Sequence, residues 1–159
     1  MSGTFAFHNI YTTKNEVMNF RFADAEIFEI KGIRDKITFE LGYVTILGQN
    51  SCNRDIREMG TNALTLDLMG VEETTLVKEG FKVFDADGNP KSSCEDEVIP
   101  QERYKEIYKE LENSRIYDLT VENGNYIFYI DTEERTYTYT IKAKDDRETW
   151  ERFMNKESM

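Results

Sequence analysis

Residues that carry chemistry are scarce in this chain, whose 159 positions include one histidine, two cysteines, two prolines and nine scattered glycines. A Ser/His/Asp or Cys/His nucleophilic set would have to run through His8, and no G-x-S-x-G elbow accompanies it. His8 sits beside Phe5, Phe7 and Ile10 and reads as an edge-strand residue. One histidine and two separated cysteines do not make an ordinary zinc site. Cys52 and Cys94 lie 42 positions apart in no CxxC pair, and read as reduced thiols of a cytoplasmic protein. Glu95, Asp96 and Glu97 crowd Cys94 with negative charge, a poor setting for a nucleophile. Neither G-x-x-x-x-G-K-S/T nor G-x-G-x-x-G occurs, so no phosphate cradle is expected. No apolar run approaches ~18 residues, and the first residues lack a basic stretch followed by an apolar one. Neither a membrane span nor a secretory signal is therefore expected.

Positive charge is also in short supply. Against 31 Asp and Glu stand 20 Lys and Arg, a formal net charge of −11. The deficit is shared: 12 acids against 8 bases over 1–80, and 19 against 12 over 81–159. Phosphate backbones and anionic lipid surfaces repel such a molecule, so direct nucleic-acid and membrane binding are not expected. A basic protein partner would be attracted and steered. The densest run lies between Asp85 and Glu102, six acids with one base. Asp85-Ala-Asp87-Gly88-Asn89 resembles the start of a calcium loop, but its glycine comes too early for an EF-hand, and a β-turn accounts for the same letters. No metal or cofactor is expected.

What is abundant is alternation. Ile37, Phe39 and Leu41 alternate with polar residues, and after Gly42, a candidate bulge or bend, the run resumes as Val44 and Ile46. Leu64, Leu66 and Leu68 follow the same period, as do Met18, Phe20 and Phe22. Asn123-Gly124 between Ile116–Val121 and Tyr126–Ile130 predicts a hairpin with a tight turn. Tyr126, Phe128 and Ile130 with Tyr137, Tyr139 and Ile141 suit a sheet core better than a base-stacking platform, because basic partners are missing and Asp131, Glu133 and Glu134 adjoin them. Ser51 opens a possible short helical turn through Arg57, closed by Gly60. Tyr104, Ile107, Tyr108 and Leu111 predict a helix over about 101–113. Asp145 and Glu148 have capping-box spacing, and with Trp150, Phe153 and Met154 they predict a second helix over about 145–156. The expectation is a single α+β domain over 1–159. It has a strongly bent, mostly antiparallel sheet or partial barrel of about six to nine strands, with both amphipathic helices packed on it. Residues 85–98 are expected as a mobile acidic loop.

The segment from Tyr139 to Phe153, with Trp150 in it, resembles the last strand and closing helix of a pleckstrin-homology domain. The resemblance covers about fifteen residues and implies a helix closing a curved sheet. The 101–113 helix departs from the family's strand series, the early strands show no basic phosphoinositide pocket, and no ligand is implied.

These readings favour a non-enzymatic, acidic protein-binding module, an inhibitor that mimics nucleic acid in blocking a basic nucleic-acid-handling partner. A toxin immunity protein, or a virus-encoded anti-defence protein such as an inhibitor of a CRISPR nuclease, has these requirements. Asp85, Asp87, Glu95, Asp96 and Glu97 of the acidic loop are the first candidates to meet the partner. Glu102, Glu106 and Glu110 on the wet face of the first helix are the second. The alternative is a small-molecule or lipid-binding β-barrel-like domain, which needs an apolar cavity of ~300 Å³ or more. Carboxylate-based hydrolysis is the third reading, with no particular pair singled out by sequence.

Overall fold

The computed structural model describes residues 10–159, so His8 and its expected edge strand lie outside the described residues. The alternating runs form strands, and there are more of them than expected. The first half carries β1 (Tyr11–Lys14), β2 (Phe20–Arg21), β3 (Ala25–Ile33), β4 (Lys36–Gly42), β5 (Val44–Ile46), β6 (Met59–Thr61), β7 (Leu64–Met69) and β8 (Glu73–Lys78). The second half carries β9 (Phe81–Phe84), β10 (Pro90–Cys94), β11 (Glu97–Ile99), β12 (Arg115–Glu122), β13 (Asn125–Asp131), β14 (Thr136–Lys142) and β15 (Asp145–Trp150). Among the described residues a single α-helix, α1 (Tyr104–Glu110), interrupts them after a 3₁₀ turn at Gln101–Arg103.

Ten strands make one antiparallel sheet in the order β1-β15-β7-β4-β3-β12-β13-β14-β8-β11. It is bent but not closed. β3 and β12 share only two residue pairs, Arg115 with Glu26 and Ile116 with Ala25, so the sheet divides there into two leaves. The leaves fold onto one another. Phe39 of β4 stacks on Phe128 of β13 at 4.3 Å between ring centroids although β3 and β12 separate them in the sheet. Inward-facing Leu64, Leu66, Leu68, Leu76, Ile130, Tyr139 and Ile141 complete the core between them. The aromatics of β13 and β14 are thus core. α1 lies on β3 beside the seam between the leaves, with Ile107 and Leu111 fully buried. Asn113 ends that segment in the left-handed region at φ 68°, and its N–H donates to the Ile27 carbonyl.

Two expectations about helices fail. Residues 145–156 do not form a helix: β15 occupies 145–150, pairs with β1 and β7, and buries Asp146, Glu148 and Trp150 on one face. In a strand, Asp145 and Glu148 point to opposite faces, so the capping-box spacing has nothing to cap. The pleckstrin-homology resemblance falls with it, since Trp150 sits on a strand. The first helix exists but is regular only over Tyr104–Glu110. The helical turn expected from Ser51 is also absent. Residues 49–58 are an irregular loop held by Asn53, whose Nδ2 donates to the carbonyls of Ile46, Leu47 and Arg57. At Gly42 the bend is real. Phe28, bulged out of β3, lies where a Cβ on Gly42 would stand, and Tyr43 takes φ 61° to separate β4 from β5. The Asn123-Gly124 turn forms with φ of 51° and 78°.

Candidate functional site

The stretch expected as an acidic loop is built mainly as a hairpin arm. Among the described residues β9 and β10 pair with each other and with no other strand, and all nine of their residues are exposed. Asp85 makes the turn: its Oδ1 accepts the N–H groups of Asp87 and Asn89, both at 2.9 Å. Gly88 supplies the left-handed φ of 83°. These contacts give the calcium-like letters a turn to build, and among the described residues no three His, Cys, Asp or Glu side chains are placed together so that they could hold a metal ion. The base of the arm is pinned by Asp96, which accepts the Gly80 N–H at 2.6 Å. The Arg135 guanidinium lies 5.0 Å from the Phe81 ring centroid and donates to the Glu79 carbonyl at 2.7 Å.

The eight acidic candidates therefore divide. Asp85 and Asp96 are engaged in local geometry. Glu97 and Glu106 both pair with Arg103, at 2.8 and 3.5 Å. Glu110 accepts the Tyr137 hydroxyl at 3.1 Å. Asp87, Glu95 and Glu102 make no side-chain hydrogen bond or ion pair among the described residues.

Tertiary structure gathers a different set. A groove of about 770 Å³ runs between the end of α1 and the β13–β14 turn. It is lined by six carboxylates (Asp24, Glu110, Glu112, Asp131, Glu133, Glu134) and three cations (Lys78, Arg115, Arg135). Among the described residues none of those cations pairs with a carboxylate. Arg135 faces Phe81 and a carbonyl, Arg115 donates to the Asp24 carbonyl at 3.3 Å, and Lys78 lies over the Tyr137 ring. Six carboxylates against three cations leave the lining with a formal charge of −3. Its tyrosines register it. Burial, then the Glu110 carboxylate, pushes Tyr137 up to about 12. Burial, then the charges of Glu79 and Asp131, raises Tyr117. At the groove's rim Thr132 sets the β13–β14 turn by accepting the Arg135 N–H at 2.9 Å and donating to its carbonyl at 2.8 Å, which holds out Glu133 and Glu134. Of the sequence candidates only Glu110 lines this groove. Asp131, Glu133 and Glu134 were visible as a turn cluster next to aromatic strands, but nothing local tied them to Glu110.

A second acidic feature went unread. Between β1, β13 and β15, Asp146 and Glu148 are buried side by side. Thr13 donates to Glu148 Oε1 at 2.7 Å, Tyr126 to Asp146 Oδ2 at 2.6 Å, and the Val17 N–H to Asp146 Oδ1 at 3.1 Å. Glu148 Oε2 has no donor. Burial foremost, and then Asp146, drives the Glu148 carboxyl far above the ordinary carboxylate range, so it keeps its proton at neutral pH and can offer it to Asp146. This pair has no solvent access through which to meet a substrate; it locks β15 into the fold.

No helix among the described residues is long and apolar enough to cross a membrane. Compared with known protein families, curated proteins and solved structures, the chain finds no match.

Proposed function

We propose that the protein is a non-enzymatic binding module that occludes a basic, nucleic-acid-handling protein inside the cell, a nuclease being the best fit. The observation that carries this reading is the groove, where six carboxylates stand among three cations that face carbonyls and aromatic rings. Lysine and arginine side chains that grip phosphate find comparable oxygens there. The exposed arm beside it adds apolar surface to a contact that would otherwise rest on screened charge.

The test is capture from host extract with the wild type and a Glu133→Lys/Glu134→Lys variant in parallel, followed by titration of the captured protein's nuclease activity. The expected outcome is a basic protein held by the wild type and inhibited by it. Its affinity falls with salt and is at least about tenfold weaker for the variant. An acidic partner, or equal capture by both forms, refutes the proposal.

A further inference from the structure

The arm has unmatched backbone as well as charge. A two-stranded ribbon is marginal in water unless a third strand or a core covers it, and among the described residues β9 and β10 have neither. Their outer edges are not equivalent. On β10, Pro90 has no N–H to offer and the register slips between Pro90 and Ser92, leaving Lys91 as a bulge. Proline, a bulge and lysine are the devices by which proteins keep an edge from pairing. β9 has no proline and no extra residue, since Phe81, Lys82, Val83 and Phe84 pair in unbroken succession. Every second residue of such an edge turns its N–H and C=O outward. Phe81 and Val83 share one face of the ribbon and Lys82 and Phe84 the other. Phe81, Val83 and Phe84 are 44%, 39% and 54% exposed, a concentration of apolar surface on one short strand.

We propose that the β9 edge receives an extended, lysine- or arginine-bearing segment of the partner protein as a third strand. The inference rests on the preceding reading that the partner is basic, and it adds how that partner docks. Backbone pairing supplies register, Phe81, Val83 and Phe84 take apolar side chains on the two faces, and the carboxylates of the tip, the base and the groove take the cations. Charge chooses the occupant. The 85–102 run carries six acids and one base, and a second copy of this chain would bring its own −11 against it.

The test uses the full-length protein, isotope-labelled for NMR, and an eight-residue peptide of alternating lysine and valine. A second peptide has the same side chains but is N-methylated at every amide, so it keeps its charge and cannot donate to a strand. The unmethylated peptide is expected to protect alternate amides of 81–84 from exchange and to bind at least about tenfold more tightly than the methylated one. Equal binding of the two peptides overturns strand addition while leaving the basic-partner reading in place. Protection confined to β10, β11 or the groove overturns it as well, as does failure of both peptides to bind. The capture experiment judges the basic-partner reading separately, through the Glu133 and Glu134 variant.

Discussion

Replacing Glu148 with glutamine isolates the buried carboxyl pair. The side chain keeps its shape. Its carbonyl oxygen can still accept from Thr13, and its amide can offer a proton to Asp146 as the protonated acid can. What disappears is the proton. In the folded protein burial, and then Asp146, raises Glu148 from an ordinary 4.5 to about 9. Below pH 4.5 the folded and unfolded chains both hold that proton and titration costs nothing. Above it the unfolded chain releases the proton while the folded chain retains it, so stability falls with rising pH until the folded group itself ionises. The slope is ~1.4 kcal/mol per pH unit. Between 4.5 and pH 7 the cost therefore reaches ~3 kcal/mol. The Glu148→Gln variant should match the wild type near pH 4.5 and exceed it by ~3 kcal/mol at pH 7, or ~6–12 °C in Tm for a chain of this length. Urea unfolding of both proteins at pH 5, 6, 7 and 8 measures the difference, in which the carboxylates outside this pair cancel. A gap that stays constant over that range, or a glutamine variant less stable than the wild type at pH 7, refutes the protonated-pair account.

Two further changes probe the same architecture. Tyr126→Phe removes the 2.6 Å donor to Asp146 and leaves a buried oxygen without it, so urea unfolding should show a loss of ~1–3 kcal/mol; an unchanged midpoint would mean the bond across the leaves carries no weight. Gly80→Ala places a Cβ against the backbone of Cys94, Glu95 and Asp96, with no flexible side chain to yield. The arm should loosen, seen as faster amide exchange over 81–94, while global stability changes by less than ~1 kcal/mol; intact arm protection would show that the base tolerates displacement.

The sheet was largely legible because its strands bury aliphatic residues at period two. Ile37, Phe39 and Leu41, then Leu64, Leu66 and Leu68, permit no other economical burial, and Asn123-Gly124 marks a turn few residue pairs enter easily. β15 was misread for a definite reason. Its inward positions are Asp146, Glu148 and Trp150, and acids on the buried face invert the polarity signal on which strand recognition depends. The partners that make those acids tolerable, Thr13 and Tyr126, are 135 and 20 positions distant. No window along the sequence contains them all. The 85–98 segment illustrates the opposite case, in which a polar composition conceals β10, paired with β9 outside the main sheet, and the start of β11, paired at the main sheet's edge.

The candidate site differs from its sequence outline for the same reason. Local density picked out the Asp85–Glu102 run, but a dense run of acids is also where turns and short-range ion pairs find their acceptors. Asp85, Asp96, Glu97 and Glu106 are engaged in that way. Net charge overstates the exterior too, since a protonated, fully buried Glu148 contributes nothing outside. The charge left for a partner depends instead on where cations are diverted. Arg135 is held by Phe81 and the Glu79 carbonyl, and Arg115 by the Asp24 carbonyl, and each such contact leaves groove carboxylates uncompensated. The salt dependence of partner binding should accordingly follow Asp131, Glu133 and Glu134 more closely than Asp85, whose charge is already turned inward on its own backbone.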